Sequence, residues 1–307
     1  MLFIPHKHLY ISGTSYISAD EPDYKEVITD ANSRRRMGRL LKMAVWCGLK
    51  SLDGVPSERV AGIITSTGAG FMKDTISFGS SIFDREETLL NPSPFMQSTF
   101  NTASGYIALI RKIHAYNTTY VQQADGFAAS LVDAAMLLDD AGEGNVALVG
   151  AFDEVTPEVD VIRQRLGLYR VVDGFLPLGE GAAAFLLSAA MPTDGSESAS
   201  VSLHESGGTS SRSLYGTKDG NAALRFCGLA NLSDLPKCSG NPIAELFGIN
   251  AGVNVISCAD HVESLGAFRS LHSVLLCKLI SEQKIQDGYT AIVDDVNEDG
   301  VIVLLHK

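Results

Sequence analysis

Apolar segments recur along the chain in a regular order of strands and helices. Runs of apolar and β-branched residues indicate buried strands, whereas apolar residues spaced by three and four indicate amphipathic helices. The predicted strands span residues 9–11, 60–66, 118–122, 146–150, 182–187, 201–204, 222–227, 253–257, 289–293 and 301–305. The predicted helices span residues 36–52, 102–114, 127–138 and 265–282. Because several of these strands are apolar on both faces, the pattern predicts an α/β fold with a covered sheet.

A polar segment rich in turn-forming residues divides this pattern. Residues 189–200 read Ala-Ala-Met-Pro-Thr-Asp-Gly-Ser-Glu-Ser-Ala-Ser, which is typical of a boundary between two units. We therefore predict an amino-terminal half at 1–188, a linker at 189–200 and a shorter carboxy-terminal half at 201–307. A chain of 307 residues is long enough for two fused halves of roughly 150 residues each.

Charge and hydropathy narrow the class of protein. The net charge of -12 argues against a nucleic-acid ligand, because phosphate binding needs a basic surface. The longest apolar runs, such as Ala182–Leu187, are far shorter than the about 20 residues of a membrane helix. The first residues lack the pattern of a secretory signal, so we expect a cytoplasmic protein. The basic cluster Ser33–Arg36, with Arg39 and Lys42, is either a solvated helix start or a docking patch for an acidic partner.

The candidate metal-binding and nucleophilic residues do not form a recognisable site by spacing alone. The five cysteines are far apart, so we predict free, mostly buried thiols and expect no metal and no cofactor. Cys258 lies close to His261, where a buried thiol and a reactive dyad are both conceivable. The paired carboxylates Asp139-Asp140 and Asp153-Glu154 are most simply solvated or hydrogen-bonded loop residues.

Five motifs in the first 188 residues carry a family resemblance. They are Arg35–Met43, which opens a helix; Thr65–Gly70, a glycine turn after a strand; Asn91–Gly105; Val146–Glu154; and Glu180–Phe185. In this order, they resemble the amino-terminal half of the β-ketoacyl synthases. The chain looks closest to the short ketosynthase-like and chain-length-factor-like proteins of bacterial aryl-polyene and flexirubin-type pathways.

The resemblance implies a fold and a mode of assembly. The fold would be thiolase-like, with two halves related by a pseudo-twofold axis in a five-layer αβαβα arrangement and with the second half shortened. Such proteins are usually dimeric through the sheet of the first half. In a condensing enzyme of this family, a cysteine at a strand-to-helix turn holds the acyl chain as a thioester.

The nucleophile position holds an aspartate. Counting back from the strand at 146–150 places Asp125 where the resemblance implies the cysteine. An acyl-aspartate would be an anhydride, which is too readily hydrolysed to store an acyl chain. Asp is also a preferred helix N-cap residue, and this structural role competes with any chemical one.

Two further elements that the resemblance implies for catalysis are absent from the sequence. The His-Gly-Thr loop of the second half does not occur, and the glycine-rich gating loop is replaced by the acidic turn 294–300. His261 is the nearest match to the second histidine, although a histidine bonded to Asp260 or to the backbone would look the same. Together with Asp125, these absences indicate an active site without condensing activity.

Three hypotheses follow. The first is a non-catalytic, chain-length-factor-like partner of an active ketosynthase in fatty-acid or polyene biosynthesis, which bounds the acyl chain with residues Phe95, Phe100, Gly126 and Phe127. The second is an enzyme that handles acyl groups on acyl carrier protein, as an acyltransferase, a decarboxylase or an atypical synthase, with Asp125 and His261. The third is a homodimer that binds an acyl group. The expected partners are a ketosynthase subunit or a second copy, and an acyl carrier protein.

Overall fold

The protein is described by a computed structural model, in which residues 9–18, 20–121, 126–165, 180–190, 224–236, 240–261, 271–282, 284–296 and 300–307 are placed. The described strands form one sheet in the order β3-β2-β4-β5-β1-β6-β9-β8-β7. The strands are β1 (Leu9–Ile17), β2 (Val60–Ser66), β3 (Tyr116–Tyr120), β4 (Val146–Asp153), β5 (Gly181–Ser188), β6 (Leu224–Asn231), β7 (Val253–Ser257), β8 (Tyr289–Val293) and β9 (Val301–His306).

The described helices lie between these strands. They are α1 (Ala31–Arg36), α2 (Arg39–Ser51), α3 (Met72–Asp84), α4 (Pro92–Gln97), α5 (Thr102–Arg111), α6 (Gly126–Ala141), α7 (Pro157–Arg165), α8 (Pro242–Leu246) and α9 (Leu271–Ser281). α6 packs against β2, β3 and β4, and α9 packs against β1 and β5. Both helices therefore lie against the sheet of the first half.

The two halves repeat one pattern of strand pairing. In the first half, β2 is parallel to β4, and β4 is antiparallel to β5, which is antiparallel to β1. In the second half, β7 is parallel to β8, and β8 is antiparallel to β9, which is antiparallel to β6. Among the described residues, the first half alone adds a further parallel strand, β3, outside β2. The prediction of two related halves with a shortened second one is confirmed for the part of the chain that the structure describes.

Alternate side chains of each strand belong to different cores, and this separates the layers. In β4, Val149 packs into the core that contains α6 and α9, whereas Leu148 packs on the opposite face into the core that contains α2 and α5. In β9, Val303 faces the same α6–α9 core, and Leu304 faces a third core that contains α8. This alternation follows from the two-residue period of a strand. The order is helix, sheet, helix, sheet, helix, as predicted.

A short antiparallel pairing joins the two halves of the sheet. Leu9, Tyr10 and Ile11 of β1 pair with residues 224–226 of β6, and the remainder of β1 pairs with β5. β1 therefore has a neighbouring strand on both sides. The predicted boundary at 189–200 lies mainly outside the described residues, as does the predicted strand 201–204, so the domain limits stay predictions.

Several predicted limits were wrong, and the structure gives a physical reason for two of them. β1 does not end at Gly13 but continues to Ile17 through a bulge between Ile11 and Gly13. The glycine there allows a close approach to α2, because a Cβ would lie only 2.9 Å from the Ser51 carbonyl oxygen. The helix predicted from residue 36 begins instead at Arg39. The backbone of Gly38 is extended, and its amide donates to Gln97 Oε1 at 3.1 Å. α1, α3, α4, α7 and α8 were not predicted.

Candidate functional site

The structure describes the predicted nucleophile turn only from residue 126 onwards, where α6 begins. Asp125 lies outside the described residues, so both its N-cap role and its chemical role stay predictions. α6 begins at the buried Gly126, where a Cβ would lie 3.4 Å from Ser66 Cβ. The next residue, Phe127, packs edge-on against Phe185 of β5 with ring centroids 5.6 Å apart. The start of α6 therefore lies beside the end of β2, at the core between the two halves of the sheet.

The predicted acyl-contacting residues have different neighbours. Phe127 is buried in the α6–α9 core. Phe95 is 55% exposed and contacts Phe78 with ring centroids 5.1 Å apart. Phe100 is 44% exposed and covers Gly70, where a Cβ would lie 2.5 Å from the Phe100 ring. A role of these residues in bounding an acyl chain therefore stays a prediction, with Phe95 and Phe100 open to solvent and Phe127 inside the fold.

The described cysteines whose side chains are placed are free and buried, as predicted. Burial raises the pKa of the Cys258 thiol, and the carboxylates of Asp294 and Asp295 raise it further. Burial likewise raises the pKa of Cys47 and of Cys277. A thiol with a raised pKa is a poor nucleophile at neutral pH, because the thiolate is the reactive form. The reactive dyad considered for Cys258 is therefore disfavoured.

His261 lies at the end of a short 3-10 turn after β7. Its backbone amide donates to the Cys258 carbonyl oxygen at 3.0 Å, and its side chain is half-buried. Because this bond is made by the main chain, the structural role of the His261 side chain stays a prediction. Its separation from Asp125 falls outside the described residues, and an acid–base pairing of the two stays a prediction.

A buried carboxylate, which the sequence suggested only as a loop residue, organises the glycine turn after β2. Asp153 ends β4 and accepts bonds from Thr67 Oγ1 at 2.9 Å, from the Gly68 amide at 2.8 Å and from the Ala69 amide at 3.0 Å. The Gly70 amide in turn donates to Thr67 Oγ1 at 2.8 Å. Asp153 satisfies backbone donors that would otherwise be buried and unpaired. Its role here is to hold the turn in place.

Glu154 lines a surface cleft of about 390 Å³ beside this turn. Burial raises the pKa of Glu154, and the carboxylates of Asp74 and Glu180 act in the same direction. The amide of Lys73 donates to Glu154 Oε1 at 3.2 Å. Arg39, which also lines the cleft, is paired with Glu180 and with a second glutamate. The cleft therefore carries several acidic groups and a cation that is already paired.

The basic cluster predicted near α1 is largely used within the molecule. Arg34 donates to the Thr29 carbonyl oxygen at 3.3 Å, and Arg35 donates to Asn32 Oδ1 at 2.9 Å. Three arginines lie in the last turn of α1, where a positive charge is favourable next to the helix carboxyl end. These contacts favour a structural role over a docking patch for an acidic partner.

The outer edge of the first-half sheet is apolar and exposed. β3 is the terminal strand of the described sheet, and α5 and α6 pack on it. Large apolar side chains on and beside these elements lie open to solvent; we call them the apolar edge: Leu109 (74% exposed), Ile110 (40%), Tyr116 (44%), Val121 (40%) and Met136 (52%). Exposed apolar groups beside an unpaired strand edge are typical of a protein–protein contact.

The segment of α3 and α4, residues 72–100, continues this character. No residue of the 13-residue helix α3 is fully buried, and α3 packs on α4. Phe83 is 84% exposed, Leu89 is 90% exposed and Met96 is 65% exposed. A helix with this many apolar residues and no buried face is incompletely covered by its own chain.

Two searches of the described residues found no feature of their kind. None of the described helices combines the length and the apolarity needed to cross a membrane. No group of three or more His, Cys, Asp or Glu side chains in the described segments is arranged to hold a metal ion.

A family model described as the β-ketoacyl synthase N-terminal domain matches residues 14–199. The chain belongs to the β-ketoacyl synthase family. The match covers all five motifs that carried the resemblance. A search of curated proteins found no sequence that matches this chain.

Solved structures of ketosynthases and related proteins are similar to almost the whole of this chain. "The ishigamide ketosynthase/chain length factor" is 14% identical with a TM-score of 0.66, over 97% of this chain and 98% of that chain. A type II polyketide synthase acyl-carrier protein in complex with its ketosynthase bound to the hexaketide gives 15% identity and a TM-score of 0.65, over 97% and 99%. A β-ketoacyl synthase from Burkholderia phymatum STM815 gives 10% identity and a TM-score of 0.61, over 97% and 98%. At these identities the similarity establishes the thiolase-like fold.

Proposed function

We propose that this chain is a non-catalytic, chain-length-factor-like subunit that pairs with an active ketosynthase in fatty-acid or polyene biosynthesis of the polyketide type. The apolar edge is the observation that carries the proposal, because it offers a surface for a second subunit where the family fold has an unpaired strand. The proposed setting is the cytoplasm, and an acyl carrier protein would deliver acyl groups to the pair.

The residues available as nucleophiles favour a subunit that assists a condensing enzyme over one that catalyses the condensation. Asp125 stands where the family motif places cysteine, and its acyl adduct would be a labile anhydride. The buried thiols of Cys47, Cys258 and Cys277 have raised pKa values, so none of these is a ready substitute nucleophile. An acyl chain processed by this subunit must therefore be held by the thiolate of another.

The apolar edge supports assembly through β3. The outer side of this strand presents backbone donors and acceptors that a partner strand can pair with, and α5 and α6 flank it with exposed apolar side chains. Burial of Leu109, Ile110 and Met136 would supply a hydrophobic core to the interface at about 25 cal/mol per Å² of apolar area removed from water.

The α3–α4 segment supports a contribution to the acyl tunnel. Phe95 and Phe100 are only partly covered by their own chain, so they are available to a subunit docked beside them. In the proposed pair, these rings would bound an acyl chain that the active subunit carries. Gly126 and Phe127 would act from the other side, by shaping the wall at the start of α6.

Co-expression tests the proposal. The chain is produced with a cysteine-bearing ketosynthase encoded in its gene neighbourhood, and the purified material is measured by native mass spectrometry. We expect a one-to-one complex, and condensation of acyl and malonyl thioesters only when both chains are present. Condensation by the isolated chain would refute the proposal, as would the absence of any such complex. An Asp125→Cys variant of the chain, assayed alone and in the complex, shows whether restoring the thiol is enough for activity.

A further inference from the structure

A cluster of two tyrosines and one aspartate lies on the outer edge of β3. The Tyr116 hydroxyl donates to Asp133 Oδ2 at 3.0 Å, and the Tyr120 hydroxyl also bonds the Asp133 carboxylate. The alternate residues of β3 point the other way, because Asn117 and Thr119 bond Ser104 on the α5 side. Tyr116, Tyr120 and Asp133 therefore share the α6 face of the edge strand.

This face is acidic. α6 carries Asp133 and, seven residues later on the same face, Asp140, and it has no basic residue in its 16 residues. Arg111 of α5 does not balance it, since its guanidinium donates to the carbonyl oxygens of Leu52 and Val55. Burial and then the Asp133 charge raise the pKa of Tyr120 to about 12, so the hydroxyl stays protonated at neutral pH and can donate to the Asp133 carboxylate.

Self-pairing of β3 would bring two such clusters together. In an antiparallel pair of two copies centred on Thr118, each Tyr116 lies opposite the Tyr120 of the second copy. The Asp133 carboxylates of both copies then lie on the same face, on either side of the twofold axis. The nearest lysine along the chain, Lys112, ends α5 before the strand begins and would lie away from this centre. Like charges that face each other across a strand pair are destabilising.

We propose that Asp133 selects the partner: the outer edge of β3 binds a different chain that presents a lysine or arginine opposite Asp133, and it disfavours a second copy of this chain. This inference rests on the proposed function, since it assigns a chemistry to the partner at the same edge. A cation in that position would complete a charge-assisted hydrogen bond with the carboxylate that two tyrosines already orient. Asp133 is thus a specificity residue and not a catalytic one.

Sedimentation velocity of this chain alone, at low salt, tests whether the Asp133 charge disfavours self-association through β3; we call this effect the charge rule. The samples are the wild type, Asp133→Asn, Asp133→Arg and an equimolar mixture of wild type with Asp133→Arg. We expect the wild type to be monomeric and Asp133→Asn to self-associate at least about tenfold more tightly. The mixture should associate more tightly than either component alone and lose this advantage at 1 M salt. Asp287→Arg, an exposed change of equal charge in the second half, is the matched control.

The proposal is overturned if the wild type self-associates as tightly as the mixture, or if the mixture associates no better than its components. Circular dichroism verifies that each variant is folded, and Asp133→Asn carries the test if Asp133→Arg is not. A ketosynthase that binds wild type and Asp133→Arg equally would refute the specificity role while leaving the proposed function intact. If no ketosynthase binds but the mixture dimerises, the proposed function fails and the charge rule at this edge stands.

Discussion

The two halves of the molecule share one four-strand unit but differ in their total number of described strands. In each half an aspartate at the end of one parallel strand fixes the loop that follows its neighbour: Asp153 accepts from the Gly68 amide, and Asp295 accepts from the Ala259 amide at 2.9 Å. The pairing of β2 with β4 and of β7 with β8 places these aspartates at equivalent positions. In the part of the chain that the structure describes, only the first half then adds an outer strand, β3, with α5 packed on it.

The extra strand changes what each half offers to other proteins. The exposed large apolar side chains of the described residues lie mostly in the first half, around α3 to α6, whereas in the second half Val255 on the edge strand β7 is the one that stands out. The shared four-strand unit thus builds the core, and the additional strand builds a surface. The comparison supports the proposal that a partner subunit binds the first half.

The largest expected difference concerns the two equivalent aspartates. Asp153→Ala leaves a hydroxyl and two amides without their buried acceptor, so we expect a loss of about 3 kcal/mol or more in the free energy of unfolding. Asp295→Ala should cost about 1–2 kcal/mol, because Asp295 is only half-buried. Urea denaturation followed by circular dichroism measures both. Equal losses would mean that the two positions are equivalent in energy as well as in geometry.

The second prediction separates the two sheet edges. The double variant Leu109→Asp, Met136→Asp removes apolar burial from the proposed interface, and we expect the affinity for a ketosynthase partner to fall on the order of 100-fold. Val255→Asp on β7 is the control from the second half and should leave affinity unchanged. Surface plasmon resonance measures both, and thermal unfolding verifies that the variants are intact. Similar losses at both edges would break the assignment of assembly to the first half.

A third prediction compares two glycines with positive φ. Gly70 has a φ of +68° and is covered by the Phe100 ring, while Gly288 has a φ of +95° and open space, with no atom within 4 Å of the point where a Cβ would stand. Gly70→Ala should therefore destabilise the fold by about 2 kcal/mol and Gly288→Ala by about 1 kcal/mol. Combining Gly70→Ala with Phe100→Ala should remove the difference, as measured by chemical denaturation. A difference that persists in the double variant would show that ring contact is not its cause.

The smallest effect concerns Glu154, which stands where the second half has Val296. Because its pKa is raised in the folded protein, Glu154 contributes stability that is present below about pH 4.5 and is lost as pH rises through the raised value. Glu154→Gln keeps the acceptor for the Lys73 amide and removes the buried charge. We expect its melting temperature to exceed that of the wild type by about 1–3 °C at pH 7, and the gain to shrink towards pH 4. Glu158→Gln, an exposed change in the same cleft, should show no such trend.

The strands could be predicted from the sequence more reliably than the helices. β2, β4 and β5 are apolar on both faces, and such runs are unambiguous when a sheet is covered by helices on both sides. α3 could not be found in this way, because it has no buried face to impose a helical period. The glycine at position 13 reads as a turn, yet in the structure it permits close approach of a strand to Ser51.

Only part of the candidate site could be predicted from the sequence. The missing cysteine and the family motifs could be read directly from residues. Asp153 was recognised as a carboxylate but not as the acceptor for a turn about 85 residues earlier, since this contact depends on the register of β2 and β4. The cluster around Asp133 likewise depends on a helix that crosses an edge strand. A carboxylate that directly follows an apolar strand was the available signal for the first of these.

The position of β1 between β5 and β6 has a consequence during synthesis. Tyr10 pairs with Ser188, so the ribosome must add roughly 180 residues before this strand can find its partner, which takes on the order of 10–40 s at about 5–20 residues per second. Until then the apolar residues Leu9 and Ile11 remain without the strands that enclose them. The nascent first half is therefore exposed to aggregation during this interval, and slow translation of residues 60–180 would lengthen that exposure.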